Sequence, residues 1–227
     1  MPTRYALYFT PPPGPLQTLG AQWLGWDSDL GKPVARPHWP QFPIEIDAVT
    51  STPRKYGFHG TLKAPFHLAA GKSEADLIAA VEAFATHRET VEVPRMSVAV
   101  LGEFLALSPD GDTTELAALA ASIVEEFDIF RAPLSETDLA RRRAAGLSPR
   151  QDELLLKWGY PFVMDAFRFH MTLTGTVAPN VRETLLPALQ SLFEPAIPEP
   201  FAIDAISLFR EGEDGRFRLC RRIALGE

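Results

Sequence analysis

The chain has 227 residues, 46% of them hydrophobic and 22% charged, which is enough to bury a real core as one large domain or two small lobes. Its formal net charge of −7 disfavours a long nucleic acid as partner, because that binding rests on neutralising phosphates. A single cysteine, Cys220, excludes a disulfide framework and a cysteine-built metal cluster.

The start of the chain, MPTRYALYF, lacks the apolar core of a secretory signal. No apolar run approaches the roughly 20 residues of a membrane-spanning helix. The sequence therefore reads as a cytoplasmic protein with no membrane partner, acting as a monomer. In chain order, RYALYF (4–9) predicts a strand that TPPPGP stops. Residues 16–27 predict a short helix, and the Pro-rich stretch 28–54 an ordered loop. KYGFHGTLKAPFHL (55–68) predicts a strand ending at Pro65, followed by an amphipathic helix over 73–89 with Ser73 as its N-cap. Two strands follow in 91–109 and a helix in 112–128. Residues 132–161 predict two short helices and a turn, 165–177 a strand and 180–193 a helix. The region 201–225 predicts a hairpin around GEDG.

The phrase FHGTL (58–62) returns as FHMTL (169–173), its histidine 111 positions on, in a chain with only five histidines. In both copies a helix and then a strand pair follow. Two such halves suggest two similar lobes in an α+β fold with antiparallel sheets, and not a solenoid.

Side chains alternate along a strand. One face of the first copy then carries Lys55, Gly57, His59, Thr61 and Lys63, and the other Tyr56, Phe58, Gly60 and Leu62. One face of the second carries Arg168, His170, Thr172 and Thr174, and the other Phe169, Met171 and Leu173. Both copies thus set imidazole, hydroxyl and cation outward and apolar groups inward. Two imidazoles across one phosphate could divide general-base and general-acid work, with no metal or other cofactor. Thr, Lys and Arg could hold the phosphate oxygens.

These paired H-x-T motifs resemble the two-histidine (2H) phosphoesterase superfamily, which includes the LigT-like RNA cyclic phosphodiesterases. The longer phrases YGFHGTLKAPF, FRAPLS, KWGYP and FRFHMTLTG look like its branch associated with phosphonate metabolism. The resemblance implies one bilobal domain over residues 1–227, two pseudo-symmetric lobes of antiparallel sheet with outer helices, and a central cleft. It implies metal-free cleavage of phosphodiesters, with His59 and His170 catalytic and Thr61 and Thr172 on the phosphate.

Lys63 and Arg168, on the same faces, join these as candidate substrate-binding groups, and so does Tyr8, which shares a face of the first strand with Arg4 and points into the cleft if that strand borders the His strands. The densest positive run, Arg141 to Arg143 with Arg131 upstream, sits in the segment between the lobes and is expected to meet a second anionic group. His38, His67 and His87 lack the frame and read as rim or structural residues. GKSEAD lacks the first glycine of a phosphate-cradling G-x-x-x-x-G-K-[ST] loop. The expected substrate is a small phosphorylated sugar or nucleotide. The alternatives are an RNA-end 2′,3′-cyclic phosphodiesterase, a ligase-like enzyme, or a non-catalytic binder of a phosphorylated metabolite.

Overall fold

Apolar positions at period two build the strands, and apolar positions three to four apart build the helices. In chain order these are β1 (Arg4–Phe9), α1 (Pro15–Leu24), β2 (Trp26–Asp27), β3 (Lys32–Pro33), α2 (Ile46–Arg54), β4 (Gly60–His67) and α3 (Glu74–Ala85). Next come β5 (Val91–Val93), β6 (Arg95–Leu101), β7 (Phe104–Asp110), α4 (Thr114–Glu126), α5 (Glu136–Arg143) and α6 (Pro149–Trp158). The chain closes with β8 (Met171–Thr172), α7 (Pro179–Phe193), β9 (Phe201–Ile203), β10 (Ala205–Glu211) and β11 (Phe217–Ala224). The computed structural model describes residues 3–42 and 44–226.

Seven strands form one antiparallel sheet in the order β11-β10-β1-β4-β8-β7-β6. The α+β class is as the sequence indicates. The strands of the two halves are exchanged within it, however: β10 and β11, which follow the second motif, lie beside β1 and β4, while β6 and β7, which follow the first, lie beside β8, and β4 meets β8 through the single pair Gly60–Met171. Helices α1, α3, α4 and α7 cover one face. There Trp23, Val81, Ile123 and Leu189 pack with Leu7, Leu62, Leu107 and Met171 in one large core. The opposite face is left for chemistry. β1 shows the division: Tyr5, Leu7 and Phe9 enter the large core, whereas Ala6 and Tyr8 join Phe209 and Phe217 on the other side.

Local signals fixed several ends. Ser73 accepts the N–H of Asp76, and the Asp76 carboxylate accepts the N–H of Ser73, a reciprocal cap that starts α3 where the sequence places it. Four expectations change. The stretch 28–54 holds β3, which pairs with β2 just ahead of it, and α2, whose Thr50 and Asp47 are gripped by the guanidiniums of Arg36 and of the helix's own Arg54. β4 runs on through Pro65, because the β1–β4 register shifts between Tyr5 and Leu7 and no ladder bond is needed from the proline. Residues 91–109 hold three strands, since β5 leaves the sheet to pair with β9. The second histidine segment pairs only at Met171–Thr172, and the residues before it run through a 3₁₀ turn.

Candidate active site

His59 stands one residue ahead of β4, and His170 one residue ahead of β8. Gly57, at φ +78°, makes the turn into the first motif in a conformation that a side chain would strain. Phe58 and Phe169 anchor the two motifs, each only 5% exposed. A Cβ on Gly60 would stand 2.4 Å from the Phe169 ring, so the glycine of the first motif makes room for the phenylalanine of the second.

Extending the antiparallel register outward from Gly60–Met171 sets His59 opposite Thr172 and Thr61 opposite His170. The two H-x-T motifs are thus related by a local two-fold axis through that pair. Opposed residues carry Cβ atoms about 4.5–5.5 Å apart and diagonal ones about 7–8 Å, so the diagonal imidazoles can reach one phosphate between them. All four side chains line one cleft of about 890 Å³, with Tyr8 and Arg4 of β1, Lys55, Glu211, Arg141, Arg142 and Tyr160 also in its wall.

The histidines are held alike. Nδ1 of His59 lies 2.9 Å from the carbonyl of Gly57, and Nδ1 of His170 lies 2.8 Å from the carbonyl of Arg168. A carbonyl only accepts, so each Nδ1 donates its proton and each Nε2 is the nitrogen left for chemistry. Nε2 of His59 is 3.2 Å from the Thr61 hydroxyl. Tyr8 stacks on His59, ring centroids 3.8 Å apart, and Phe104 packs on His170 at 5.4 Å. Burial pulls the His59 pKa down to about 4 against the Gly57 bond, with His170 adding a smaller push the same way. Burial also lowers His170, and its bond to the Arg168 carbonyl opposes this. Burial pushes the Tyr8 phenol well above its usual range, so it remains an O–H donor.

Three expected binding residues lie elsewhere. Lys63 is 3% exposed; its ammonium donates to the Val124 carbonyl at 3.0 Å and sits 3.7 Å from Asp128, capping the end of α4. Burial brings its pKa to about 8, partly offset by Asp128. Arg131 forks onto Asp128 at 2.7 and 3.1 Å and reaches the Lys157 carbonyl, so it clamps α6 to the body and does not line the cleft. Arg168 lies outside the cleft, in a neighbouring recess with Phe104, Phe162 and Phe167. Among residues the sequence left aside, Lys55 lines the cleft beside Glu211, and Tyr160 enters it just after α6. The phrase KWGYP was the only sequence signal for Tyr160, and none marked Glu211. Among the described residues no group of three or more His, Cys, Asp or Glu is placed to hold a metal ion.

A family profile described as "Protein of unknown function (DUF1045)" matches residues 61–218, which takes in Thr61, the α5–α6 insert and the whole second motif. The chain belongs to this family. This DUF1045 protein is 41% identical over 219 residues to a ribose 1,5-bisphosphate phosphokinase PhnN of Janthinobacterium sp. (strain Marseille), covering 94% of the chain and 48% of that protein. It is 36% identical over 225 residues to a protein of the same name from Laribacter hongkongensis (strain HLHK9), covering 98% of the chain and 52% of that protein. The chain therefore spans about half the length of the curated relatives it matches. Among solved structures, the DUF1045 chain is similar over its full length to a phosphoesterase, at 16% identity and a TM-score of 0.42. It is similar to E. coli LigT in complex with 3′-AMP at 14% identity and the same TM-score. No helix among the described residues is long and apolar enough to cross a membrane.

Proposed function

We propose that this chain is a two-histidine phosphoesterase of the cyclic phosphodiesterase type, acting on a small phosphorylated sugar or nucleotide. The observation that carries the reading is the pair of like-held imidazoles, each with Nδ1 tied to the carbonyl two residues back, on adjacent strands of one cleft. The resemblance of both motifs to 2H phosphoesterases supports it. The kinase name of the relatives belongs to proteins about twice as long, and this chain has no Walker-type phosphate loop. What their name adds is a ribose bearing two phosphates, which supports a phosphorylated ribose as the sugar.

The chemistry divides by environment. His59, buried under Tyr8 and kept neutral, takes a proton from water at Nε2 as the water oxygen attacks phosphorus. The P–O bond on the far side breaks, and His170, charged, gives its Nε2 proton to the departing alkoxide. A cyclic diester plus water becomes a phosphate monoester and a free hydroxyl. Thr61 and Thr172 donate to the non-bridging oxygens, and Tyr8 adds an O–H to the same wall.

A screen of nucleoside and sugar cyclic phosphates, run in EDTA and read by phosphorus NMR, is expected to show conversion of a cyclic ester to a monoester. No conversion of any member would remove the reading. The pH dependence of kcat/KM is expected to be bell-shaped. Activity needs His59 neutral and His170 charged in the same molecule, and both pKa values lie below the usual 6.5. The rate then falls on the acid side as His59 protonates and on the alkaline side as His170 loses its proton. The optimum is therefore expected below pH 6.5, with each flank a property of the coupled pair. An optimum at pH 8 or above would contradict this division of roles.

A further inference from the structure

Four cationic side chains line the cleft against two carboxylates, so it is net positive within a chain of net charge −7. Three of the four are already engaged. Glu211 takes Arg4 through two bonds, at 2.7 and 2.5 Å, and lies 3.8 Å from Lys55. Asp138 takes Arg141 at 2.6 Å. Arg143, next in the run, is spent on Asp152 outside the cleft. Arg142 has no carboxylate partner among the described residues. Its Nε is shut off from solvent and makes no hydrogen bond. Arg222 shares that feature at Nε, but its guanidinium already holds Asp204 at 2.6 Å.

A shielded, unmatched N–H on a cation is costly and rare in folded proteins. Around Arg142 stand Tyr160, Arg4, and on its own helix Arg141 and Asp138. Its guanidinium carbon is 5.2 Å from the centre of the Tyr160 ring, a contact that holds the planar fork in one orientation. Burial pulls its pKa down, whereas Arg4, beside Glu211, is raised. The arrangement is that of a guanidinium whose counter-anion arrives with a ligand.

Resting on the phosphoesterase reading, we infer that Arg142 binds a second, non-reacting phosphate of the substrate. The substrate class is then a cyclic phosphodiester that also carries a distal phosphate monoester. The two histidines act on one phosphate while the α5 wall of the same cleft holds the other. The sequence marks the whole Arg run, and packing leaves one of its members free for the task.

The test has two arms. In the first, kcat/KM is measured for adenosine 2′,3′-cyclic phosphate with and without a 5′-phosphate, in the wild type, Arg142→Gln, Arg142→Lys and Arg143→Gln. The wild type is expected to prefer the 5′-phosphorylated compound. Arg142→Gln should cut that preference by about tenfold to a hundredfold, the range for losing a sheltered charge-assisted bond. Arg142→Lys should keep part of it, and Arg143→Gln should keep all of it. In the second arm, calorimetry compares ribose 5-phosphate with ribose, which needs no turnover. Arg142→Gln should weaken ribose 5-phosphate binding by at least about tenfold relative to the wild type. If neither cyclic phosphate turns over but this binding still depends on Arg142, the esterase reading fails and the anion site stands. If turnover is seen and Arg142→Gln changes neither the preference nor the binding, the inference is overturned and the esterase reading survives. Wild-type protein that does not distinguish ribose 5-phosphate from ribose also overturns it. Circular dichroism of Arg142→Gln separates these outcomes from misfolding, and Arg142→Lys repeats the test should that variant unfold.

Discussion

Replacing His170 with Ala is expected to lower turnover of a cyclic phosphate by about 10²–10⁴-fold while the fold persists, and His59→Ala is expected to do the same. Each imidazole supplies one of the two proton transfers, so neither can stand in for the other. Water can replace a lost general acid only poorly, because its proton is far less available at the pH of the reaction. The double variant is expected to lose little more than either single one, since groups that act as a unit are not additive. The structural cost is small. His170 gives up one bond to the Arg168 carbonyl and its packing on Phe104, and His59 its bond to Gly57 and its stack on Tyr8. Net losses of about 1 kcal/mol per hydrogen bond leave a chain of this size folded. Steady-state rates with far-ultraviolet circular dichroism decide the matter. Near-normal turnover in His170→Ala would end the two-histidine mechanism.

Trp23→Ala is expected to be among the most destabilising single changes, at about 3–5 kcal/mol. Trp23 is fully buried on α1, with Phe42, Trp39 and Phe193 around its ring at 4.9, 5.8 and 6.2 Å. Truncation leaves a cavity that these rigid neighbours cannot fill. It also strips the Leu173 carbonyl of the indole N–H that bonds it at 2.8 Å. Leu173 directly follows the second H-x-T motif, so the loss reaches the site as well as the core. At roughly 2–4 °C per kcal/mol for a protein of this length, the melting temperature should fall by about 6–20 °C. Trp23→Phe, which keeps much of the volume but not the N–H, should cost less, about 1–3 kcal/mol. Thermal and urea unfolding of the two variants measure both. A loss under about 1 kcal/mol in Trp23→Ala would mean that the indole is not a keystone between α1 and the second motif.

By itself the sequence determined much of what is set by neighbours within a few residues. The alternation in FHGTL and FHMTL placed His59, Thr61, His170 and Thr172 on the outward face, and the structure brings all four to one cleft. Ser73 marked the start of α3, and α4 and α7 stand where helices were expected over 112–128 and 180–193. The tertiary structure decided what covers each face. Parity put Lys63 beside Thr61, yet the β1–β4 register shifts between Leu7 and Tyr8, so Lys63 pairs with Leu7 on the helix-covered face, where its ammonium meets the Val124 carbonyl in the last turn of α4. Composition marked Arg131 and Arg141 to Arg143 alike, but Asp128, Asp138 and Asp152 claim three of them and leave Arg142 to the cleft. A strand's pattern is written in its own residues, because each side chain's direction follows from backbone geometry. Which carboxylate meets which guanidinium depends on how separate elements pack together, and that is settled only when they share one core.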